Sequence, residues 1–365
     1  MRVVIASADY TPDGGGIGAY ANGLWRGLSH AGCDSSVLCK STPERKDTAA
    51  EHMVPVPVGG SPARSLGVLR TWYLALRDEV RRRKCDWAIV PTWDPVGLAA
   101  TLPVLRRALP CRIAVVFHGA DVASAQGRKA QLLRYVIQSA DRLIANSSYT
   151  RELIGRRFGA ASATVRPGIG EDDLHLPLEI PRSAYNVISV GRLIKRKGQA
   201  VVMEAVARLA REYPGLSYTI VGDGPERTSL ETLSRSLGIA DRVHMRGHVS
   251  VAEKRRCLLA ASVFALPVLP DDSDPEGFGI AYLEAGAARL PVVATRTGGV
   301  TECVRDGESG LFCEASVPGV TNTVRQLLQR RDLRMQLGEG GRRIAEAGTW
   351  NNRAEDLLAA LEEHP

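Results

Sequence analysis

The stretch NVISVGRLIKRKGQAVVMEAVARLA, residues 186–210, contains the unit from which the fold is expected to be built. It begins with a β-branched run, passes through a loop rich in basic residues, and continues as an amphipathic helix. The run does not alternate strictly between apolar and polar residues, which is typical of a strand buried on both faces of a parallel sheet. If this unit recurs, the chain has an α/β fold.

Similar short apolar runs, separated by helical stretches, occur throughout both halves of the chain. In the first half they are 2–7, 35–40, 87–92, 112–119 and 142–147, and in the second they are 186–193, 217–224, 242–247, 262–269 and 291–296. We therefore predict two doubly wound, Rossmann-like domains. Such sheets bind ligands in a cleft at the carboxyl ends of their parallel strands.

Chain length and a break in the pattern place the domain boundary. The 365 residues exceed what one hydrophobic core usually spans. Residues 167–183 mix prolines and glycines with charges, which indicates a linker. We predict a first domain of residues 1–176 and a second of residues 177–348. Residues 349–365 form a predicted amphipathic helix that either caps the second domain or crosses back onto the first.

The composition argues against several classes of function. Aromatic residues make up only 5% of the chain, too few for a surface that stacks single-stranded nucleic acid. The seven cysteines are scattered without a paired spacing, so neither zinc nor disulfides are expected, and a reducing, cytoplasmic location fits best. No apolar run is long enough for a membrane span or a signal peptide. The net charge of +7 indicates an anionic partner without identifying it.

One predicted helix leaves a membrane contact open. Residues 63–84 have apolar side chains along one face and basic side chains opposite, as in a helix that lies on an acidic membrane. A helix that covers a sheet has the same apolar stripe, and this simpler interpretation is favoured. At most, we expect a weak peripheral contact.

The stretch DPEGFGIAYLEA, residues 274–285, combines two carboxylates with exposed backbone amides. Glu276 precedes a Gly-Phe-Gly turn, and Glu284 follows with seven residues between the two glutamates. Amides at a helix start attract anions, whereas carboxylates repel them. A ligand that satisfies both carries negative charge at one end and hydroxyl groups at the other. Alternatively, both glutamates are only helix N-terminal charges that favour the dipole.

Basic residues in the loop after residue 190 suit the anionic end of such a ligand. Arg192 and Lys197 combine a fixed guanidinium with a mobile ammonium, which fits a diphosphate whose charge grows as it departs. The alternative is that both are solvated surface charges. Asp272 and Asp274 have the spacing of a metal-binding pair, but no other ligand cluster supports them, so no metal is expected.

The first half of the chain has three further groups of residues that suit a binding site, each located at or after the end of a predicted strand. Gly14–Gly16 lie between the first strand and a helix, where glycine lets backbone amides approach an anion. Their spacing fits neither a dinucleotide fingerprint nor a P-loop. His118 follows one buried strand, and Trp93 and Asp94 follow the strand before it, so one sheet edge is expected to hold all three. A ligand-free loop, a packed histidine and a capped turn are the alternatives.

Taken together, these stretches resemble the family 4 retaining glycosyltransferases, whose GT-B fold has two Rossmann-like domains facing across a cleft. The glycine loop, HGADV, GRLIKRKG, VGDGPER, EGFGIAYLEA and GGVTECVRDGESGLF stand in family order and spacing over nearly the whole chain. The chain looks most like bacterial mannosyltransferases of phosphatidylinositol mannoside synthesis. It departs from the family in having three glycines where two are usual, which leaves open which glycine contacts ligand.

The resemblance implies a nucleotide-diphosphate sugar, GDP-mannose or a UDP-hexose, bound to the second domain. Glu284 would bind the ribose hydroxyls and Glu276 the hydroxyls of the transferred sugar. Arg192 and Lys197 would hold the diphosphate. The phosphates and sugar would also face the turn, where the resemblance assigns Gly277, Phe278 and Gly279.

For the first domain, the resemblance places His118 against the sugar near its reacting carbon. Gly15 and Gly16 would close over the phosphate and the acceptor. Trp93 and Asp94 are candidates for the acceptor side. Enzymes of this family need no metal or other cofactor, and transfer with retention is usually written as front-face substitution, in which the departing phosphate takes the proton of the acceptor hydroxyl.

Other functions remain open at this point. A GT-B epimerase or hydrolase would act on the sugar nucleotide without an acceptor, and a phosphorylase would need a lysine-bound cofactor that no motif indicates. A catalytically silent binding protein would keep the fold without turnover. A nucleic-acid binder would show an affinity that falls steeply with salt. The sequence does not identify the donor base, the sugar, the acceptor, the linkage or the oligomeric state.

Overall fold

The computed structural model describes residues 1–10, 15–40, 51–54, 62–102, 106–107, 109–175 and 181–363. These residues form two compact units. The first unit comprises Met1–Pro167 and the C-terminal segment from Trp350, and the second comprises Gly168–Thr349. Each unit is built on its own parallel sheet.

The first unit contains a seven-stranded sheet in the order β3-β2-β1-β4-β5-β6-β7. Its strands are β1 Arg2–Ser7, β2 Asp34–Lys40, β3 Glu51–Val54, β4 Trp87–Val90, β5 Arg112–Phe117, β6 Arg142–Ala145 and β7 Ala163–Thr164. All neighbouring strands are parallel. The order reverses between β1 and β4, and this switch point is where doubly wound sheets bind ligands.

The strands β1, β2, β4 and β5 are buried on both faces, which explains their lack of polar alternation. In β1, Val3 and Ile5 belong to one hydrophobic core, whereas Val4 and Ala6 belong to the other, and all four are fully buried. The helices of this part of the chain are α1 Gly16–His30, α2 Pro62–Arg83, α3 Leu98–Thr101, α4 Ala120–Ala123, α5 Gly127–Ser139 and α6 Ser148–Phe158.

The second unit contains six parallel strands in the order β10-β9-β8-β11-β12-β13. They are β8 Asn186–Val190, β9 Ser217–Val221, β10 Val243–Gly247, β11 Val263–Leu266, β12 Val292–Ala294 and β13 Gly310–Phe312. The helices are α7 Glu171–Leu174, α8 Gln199–Leu209, α9 Arg227–Ser236, α10 Val251–Ala260, α11 Ile280–Ala287, α12 Val317–Gln329 and α13 Arg331–Ala347. In the described part of the chain, no helix is both long and apolar enough to cross a membrane.

The division between the units falls after Pro167, earlier than the boundary at residue 176 that the sequence indicates. Ile169 is 2% exposed and packs in a core of the second unit. Within α7, Asp173 Oδ1 accepts a hydrogen bond from Arg255 Nε at 2.7 Å. The segment from residue 168 to 175 therefore belongs to the second unit, although its polar composition is that of a linker.

The C-terminal helix α14, Trp350–Glu362, packs on α1 in the first unit. A side chain at Gly23 would overlap the indole of Trp350, and one at Gly27 would overlap the backbone carbonyl of Trp350. The two glycines lie about one helical turn apart on α1 and so let the helices approach closely.

We expect Gly23→Ala to destabilise the first unit, because the added methyl group displaces Trp350 from a packed position. Overpacking of this kind costs about 1–3 kcal/mol of the free energy of unfolding. The matched control is Gly67→Ala in α2, where an added Cβ meets nothing within 4 Å. In the control, helix propensity should stabilise the protein by roughly 0.5–1 kcal/mol. Urea unfolding followed by circular dichroism measures both, and equal midpoints would contradict the packing argument.

Candidate active site

The turn that carries Glu276 lies in the second unit, after β11 and directly before α11. The backbone carbonyl of Glu276 accepts a hydrogen bond from the amide of Gly299 at 2.9 Å. Gly298 has a φ of +52°, and a side chain there would overlap the same carbonyl, so glycine is required at this position. The glycine pair thus holds the turn in place.

Glu276 is buried, ion-paired and ionised. Its Oε2 accepts hydrogen bonds from Lys197 Nζ at 2.5 Å and from Arg196 Nη1 at 2.7 Å. Burial alone would raise the pKa of this carboxyl, but the neighbouring Lys197 and Arg196 cations outweigh burial and hold the pKa of Glu276 below its usual value. No described residue donates to the other oxygen, Oε1, which leaves that oxygen for a ligand.

Arg196 is a site residue that the sequence interpretation missed. It donates to Asp274 Oδ2 through Nε and to Glu276 Oε2 through Nη1, both at 2.7 Å. Burial lowers the pKa of Arg196, but the two carboxylates raise it by more. The sequence does contain a signal, because the acids Asp274 and Glu276 lie close together and Lys197 follows Arg196 directly. Only the fold brings these two segments into contact.

The contact of Asp274 with Arg196 bears on the pair of aspartates considered as a metal site. Asp272 is exposed, and the nearby Asp271 Oδ1 accepts hydrogen bonds from Ser273 and from the Asp274 amide. Among the residues that the structure describes, no three His, Cys, Asp or Glu side chains are grouped as metal ligands. The arrangement of this loop is that of an ion-pair network.

Arg192 lies in the same loop as Lys197 but is placed differently. It is exposed, and within the described ranges its guanidinium has no hydrogen bond or ion pair. Its backbone carbonyl accepts from Gln199 Nε2 at 3.1 Å, which fixes the loop at that point. The structure therefore brings Lys197 to Glu276 and leaves Arg192 free to meet an anion.

The turn after Glu276 offers backbone groups only. Phe278 is 4% exposed, and its ring packs in a core of the second unit. The amides of Phe278 and Gly279 have no acceptor among the described residues and lie at the start of α11. Phe278 and Gly279 thus provide two amides without an acceptor in the described part of the chain, shortly after Glu276, and buried Gly277 lies between them and the glutamate.

Glu284, within α11, has its own cationic partner. Its Oε1 accepts a hydrogen bond from Lys254 Nζ in α10 at 2.5 Å. Burial lowers the pKa of Lys254, but the Glu284 carboxylate raises it by more, so the net shift is upward. The sequence interpretation missed Lys254. The two glutamates therefore belong to separate ion-pair networks.

In the first unit, Gly15 and Gly16 stand at the start of α1. Both are exposed, and a side chain at either position would meet nothing within 4 Å. Among the described residues no side chain caps the helix, so its first amides have no side-chain acceptor there. Packing does not require glycine here, which is consistent with a role toward a ligand. Gly14 lies outside the described residues.

His118 follows β5 and is held as a neutral imidazole. Its Nε2 lies 2.7 Å from the carbonyl oxygen of Pro91, which can only accept, so Nε2 carries the proton. Asn146 Nδ2, at 3.5 Å, faces Nδ1. Burial lowers the pKa of His118, and the Asp121 carboxylate opposes this only in part. Both ring nitrogens are therefore engaged within the unit.

A series of edge-to-face aromatic contacts connects His118 with α14. The ring of Tyr20 meets His118 edge to face at 5.2 Å and meets Trp350 in the same way at 5.5 Å. The Tyr20 hydroxyl donates to the carbonyl of Val165 at 3.1 Å. The orientation of His118 thus depends on packing that reaches the last helix of the chain.

Trp93 and Asp94 begin the short helical segment after β4, the neighbour of β5. Trp93 is 3% exposed, and Lys129 Nζ lies 5.7 Å from the centre of its ring. Burial raises the pKa of Asp94, and Lys129 partly offsets this. The same edge of the sheet therefore holds both residues and His118, whereas their acceptor-side role stays a prediction.

Comparison with known proteins identifies relatives along the whole chain. Residues 14–172 match the family described as Glycosyltransferase Family 4, and residues 172–344 match Glycosyl transferases group 1. A GDP-mannose-dependent alpha-(1-6)-phosphatidylinositol monomannoside mannosyltransferase of Mycobacterium tuberculosis is 29% identical over 99% of this chain and 98% of its own length. Its Mycolicibacterium smegmatis counterpart is 32% identical over 73% of this chain and 75% of its own.

Solved structures show the same fold. Sucrose-phosphate synthase from Thermosynechococcus elongatus superposes with a TM-score of 0.80 at 20% identity, covering 99% of this chain and 98% of that protein. An Anabaena protein solved in complex with UDP superposes with a TM-score of 0.72 at 17% identity, covering 99% of this chain and 100% of its own. At these identities the likeness concerns the fold, which is the GT-B fold with two doubly wound domains.

Proposed function

Because the chain belongs to the family 4 glycosyltransferases, we propose that it transfers a hexosyl unit from a nucleotide-diphosphate sugar to a hydroxyl acceptor. The transfer retains the configuration at the anomeric carbon and needs no metal ion. The observation that carries this proposal is the Glu276 carboxylate, which is ionised, fixed through one oxygen and followed in the chain by amides that have no acceptor among the described residues. These groups suit the hydroxyl end and the phosphate end of one ligand.

The donor binds to the second unit in this proposal. Oε1 of Glu276 accepts hydrogen bonds from hydroxyls of the transferred sugar, and Glu284 accepts from the ribose. Arg192 and Lys197 hold the diphosphate together with the amides of the turn that follows Glu276. Support comes from the guanidinium of Arg192, which is exposed and has no ion pair with any described residue, so that it is available for bidentate contact with phosphate oxygens.

The chemical step is a front-face substitution in this proposal. The bond between the anomeric carbon and the diphosphate oxygen breaks, the acceptor oxygen bonds to that carbon on the same face, and the departing phosphate takes the acceptor proton. The task of Arg192 and Lys197 is to stabilise negative charge on the leaving diphosphate. The remaining residues align the reactants, so no protein group acts as general base.

The first unit serves the acceptor in this proposal, through Gly15, Gly16, Trp93 and Asp94, while His118 contacts the sugar. Because the imidazole of His118 is engaged at both nitrogens, its ring must reorient or its backbone carbonyl must make the contact.

The seven cysteines are free thiols, which supports a reducing compartment such as the cytoplasm.

GDP-mannose is the first donor to test, with a UDP-hexose as the second. The two mycobacterial relatives are named for GDP-mannose and for a phosphatidylinositol mannoside, which also favours acceptors with an inositol ring. Thermal unfolding in the presence of GDP-, UDP- and ADP-sugars identifies the donor that the protein binds. The correct donor at about 100 times its Kd should increase the free energy of unfolding by ~2.7 kcal/mol. Release of nucleoside diphosphate only when acceptor is present distinguishes transfer from epimerisation, hydrolysis or silent binding.

We expect turnover to persist in excess EDTA, because cationic side chains and backbone amides take the place of a metal at the diphosphate. Asp274 is engaged by Arg196 at 2.7 Å, which supports this expectation. Rates are compared in EDTA and after addition of magnesium or manganese. Activity lost in EDTA and restored by either ion would return the Asp272 and Asp274 pair to consideration as ligands.

A further inference from the structure

Arg196 connects the two acidic residues of the loop that carries Glu276. Its guanidinium donates through Nε to Asp274 Oδ2 and through Nη1 to Glu276 Oε2. Its side chain is only 15% exposed. Arginine suits this position because its planar fork presents donors in fixed directions, whereas an ammonium group cannot span two carboxylates in the same way. Arg196 therefore fixes Glu276 relative to Asp274.

Backbone contacts that do not involve Lys197 hold both ends of this bridge. The amide of Leu269 donates to the carbonyl of Arg196 at 2.6 Å. At the other end, Asp271 Oδ1 accepts from the amide of Ser273 at 2.9 Å and from that of Asp274 at 3.2 Å. The bridge from Arg196 to Asp274 thus persists if Lys197 moves.

Lys197 is held less firmly, because its ion pairing in the described residues is with Glu276 alone. In the structure, the carboxylates of Asp274 and Glu276 pair with the cations of Arg196 and Lys197, so that the two negative charges balance the two positive ones. A diphosphate adds negative charge that attracts the cation most able to reorient. Lys197 meets this requirement, since its ammonium is a flexible point charge and Arg196 is bound at two carboxylates.

We propose that Arg196 is the positioning residue that keeps the Glu276 carboxylate in place while Lys197 moves from Glu276 to the donor diphosphate. This inference rests on the proposed function, because the ligand is a nucleotide-diphosphate sugar. Without donor, both cations contact Oε2. With donor, Arg196 alone retains that oxygen, and Oε1 accepts the sugar hydroxyl. Arg196 contacts neither the sugar nor the diphosphate.

The first test is kinetic and uses Arg196→Gln. The donor kcat/KM should fall by roughly 10- to 100-fold, the effect of losing one charge-assisted hydrogen bond. Calorimetry should find the affinity for free nucleoside diphosphate changed by less than about twofold. Arg196→Lys, which keeps the charge, should recover part of the loss. Arg325→Gln removes an ion pair with Glu212 elsewhere in the unit and is the control, with unchanged kinetics.

The second test is a pH profile. The charged and titratable groups that face Glu276 within the described part of its unit are Lys197, Arg196, Asp274 and Tyr282. Both cations favour the ionised carboxylate, so loss of Arg196 raises the pKa of Glu276. The acid limb of kcat/KM should therefore move to higher pH in Arg196→Gln and stay in place in Arg325→Gln. A purely structural role would lower the rate without moving the limb.

Two outcomes would overturn the inference: an acid limb that does not move, or an affinity for nucleoside diphosphate that falls by the same factor as the donor kcat/KM. If Arg196→Gln does not fold, Arg196→Lys carries the kinetic and calorimetric comparisons, and the pH profile is not compared because lysine keeps the positive charge beside Glu276. If the wild-type protein neither binds nor turns over any nucleotide sugar, it is the proposed function that fails. Carbon-13 NMR of the Glu276 carboxyl then tests the positioning contact, and an unchanged titration in the variant would overturn it.

Discussion

Replacing Glu276 with alanine is expected to abolish most turnover without weakening the binding of free nucleoside diphosphate. The lost carboxylate would accept sugar hydroxyls in the reacting complex, and such charge-assisted hydrogen bonds contribute about 1.5–3 kcal/mol. The nucleoside diphosphate has no sugar at that position. Its affinity should hold or rise, because Lys197 loses its partner at 2.5 Å and becomes free to bind phosphate.

Glu284→Ala is the matched comparison. This glutamate is paired with Lys254 at 2.5 Å, in a network separate from that of Glu276. Its proposed ligand is the ribose, which donor and nucleoside diphosphate share, so the variant should bind both less tightly. Calorimetry with each ligand on each variant gives four affinities. Equal weakening of nucleoside diphosphate binding by both substitutions would contradict the assignment of roles, and Glu276→Gln controls for folding because it keeps the side-chain shape.

The second large effect is a loss of catalytic rate when either of the two cations proposed to hold the diphosphate is removed. Lys197→Ala and Arg192→Ala should each raise the barrier by roughly 2–4 kcal/mol, the range for removing one preorganised donor from developing negative charge. Arg192 is exposed and unpaired within the described residues, so its loss should leave the melting temperature unchanged. Lys197→Ala should also destabilise the protein modestly, because Glu276 loses one of two cations.

The control for both cation variants is Lys195→Ala, which removes an exposed charge from the short helical turn Lys195–Lys197. Initial rates at saturating and limiting donor give kcat and kcat/KM, and differential scanning fluorimetry gives stability. Wild-type rates in Lys197→Ala or Arg192→Ala would mean that these residues are surface charges. A slow Lys195→Ala variant would mean that net charge, not position, controls the rate.

The sequence predicted the fold class because buried parallel strands have a strong apolar signature. All ten predicted runs are strands, although several end earlier, as β5 does at Phe117. The strands that the prediction missed give little signal. β7 has two residues and β13 has three, too few for an apolar run to stand out, and β3 reads EHMV. A pattern of side chains reports burial, not pairing, so short edge strands escape it.

Within the candidate site, the sequence predicted residue types better than contacts. It named Glu276 and Lys197, and the fold brings them together across 79 residues of chain. Their pairing with each other was not foreseen, since both were interpreted through a ligand. Arg196 and Lys254 were missed because an arginine or lysine in a polar segment has no distinguishing pattern until its acidic partner is known. Ion pairs depend on tertiary placement, which periodicity does not report.

The packing of α14 on α1 has a consequence for the order in which the protein matures on the ribosome. The first unit is assembled from segments before and after the second unit, whereas Gly168–Thr349 is continuous. Until Trp350 has been synthesised, Tyr20 has its ring contact with His118 but lacks the one with Trp350, and the Gly23 surface of α1 stays uncovered. A nascent chain can therefore finish the second unit while the first still exposes apolar surface. The sheet of the first unit is thus translated before the second unit, whereas the helix that covers its α1 is translated after it.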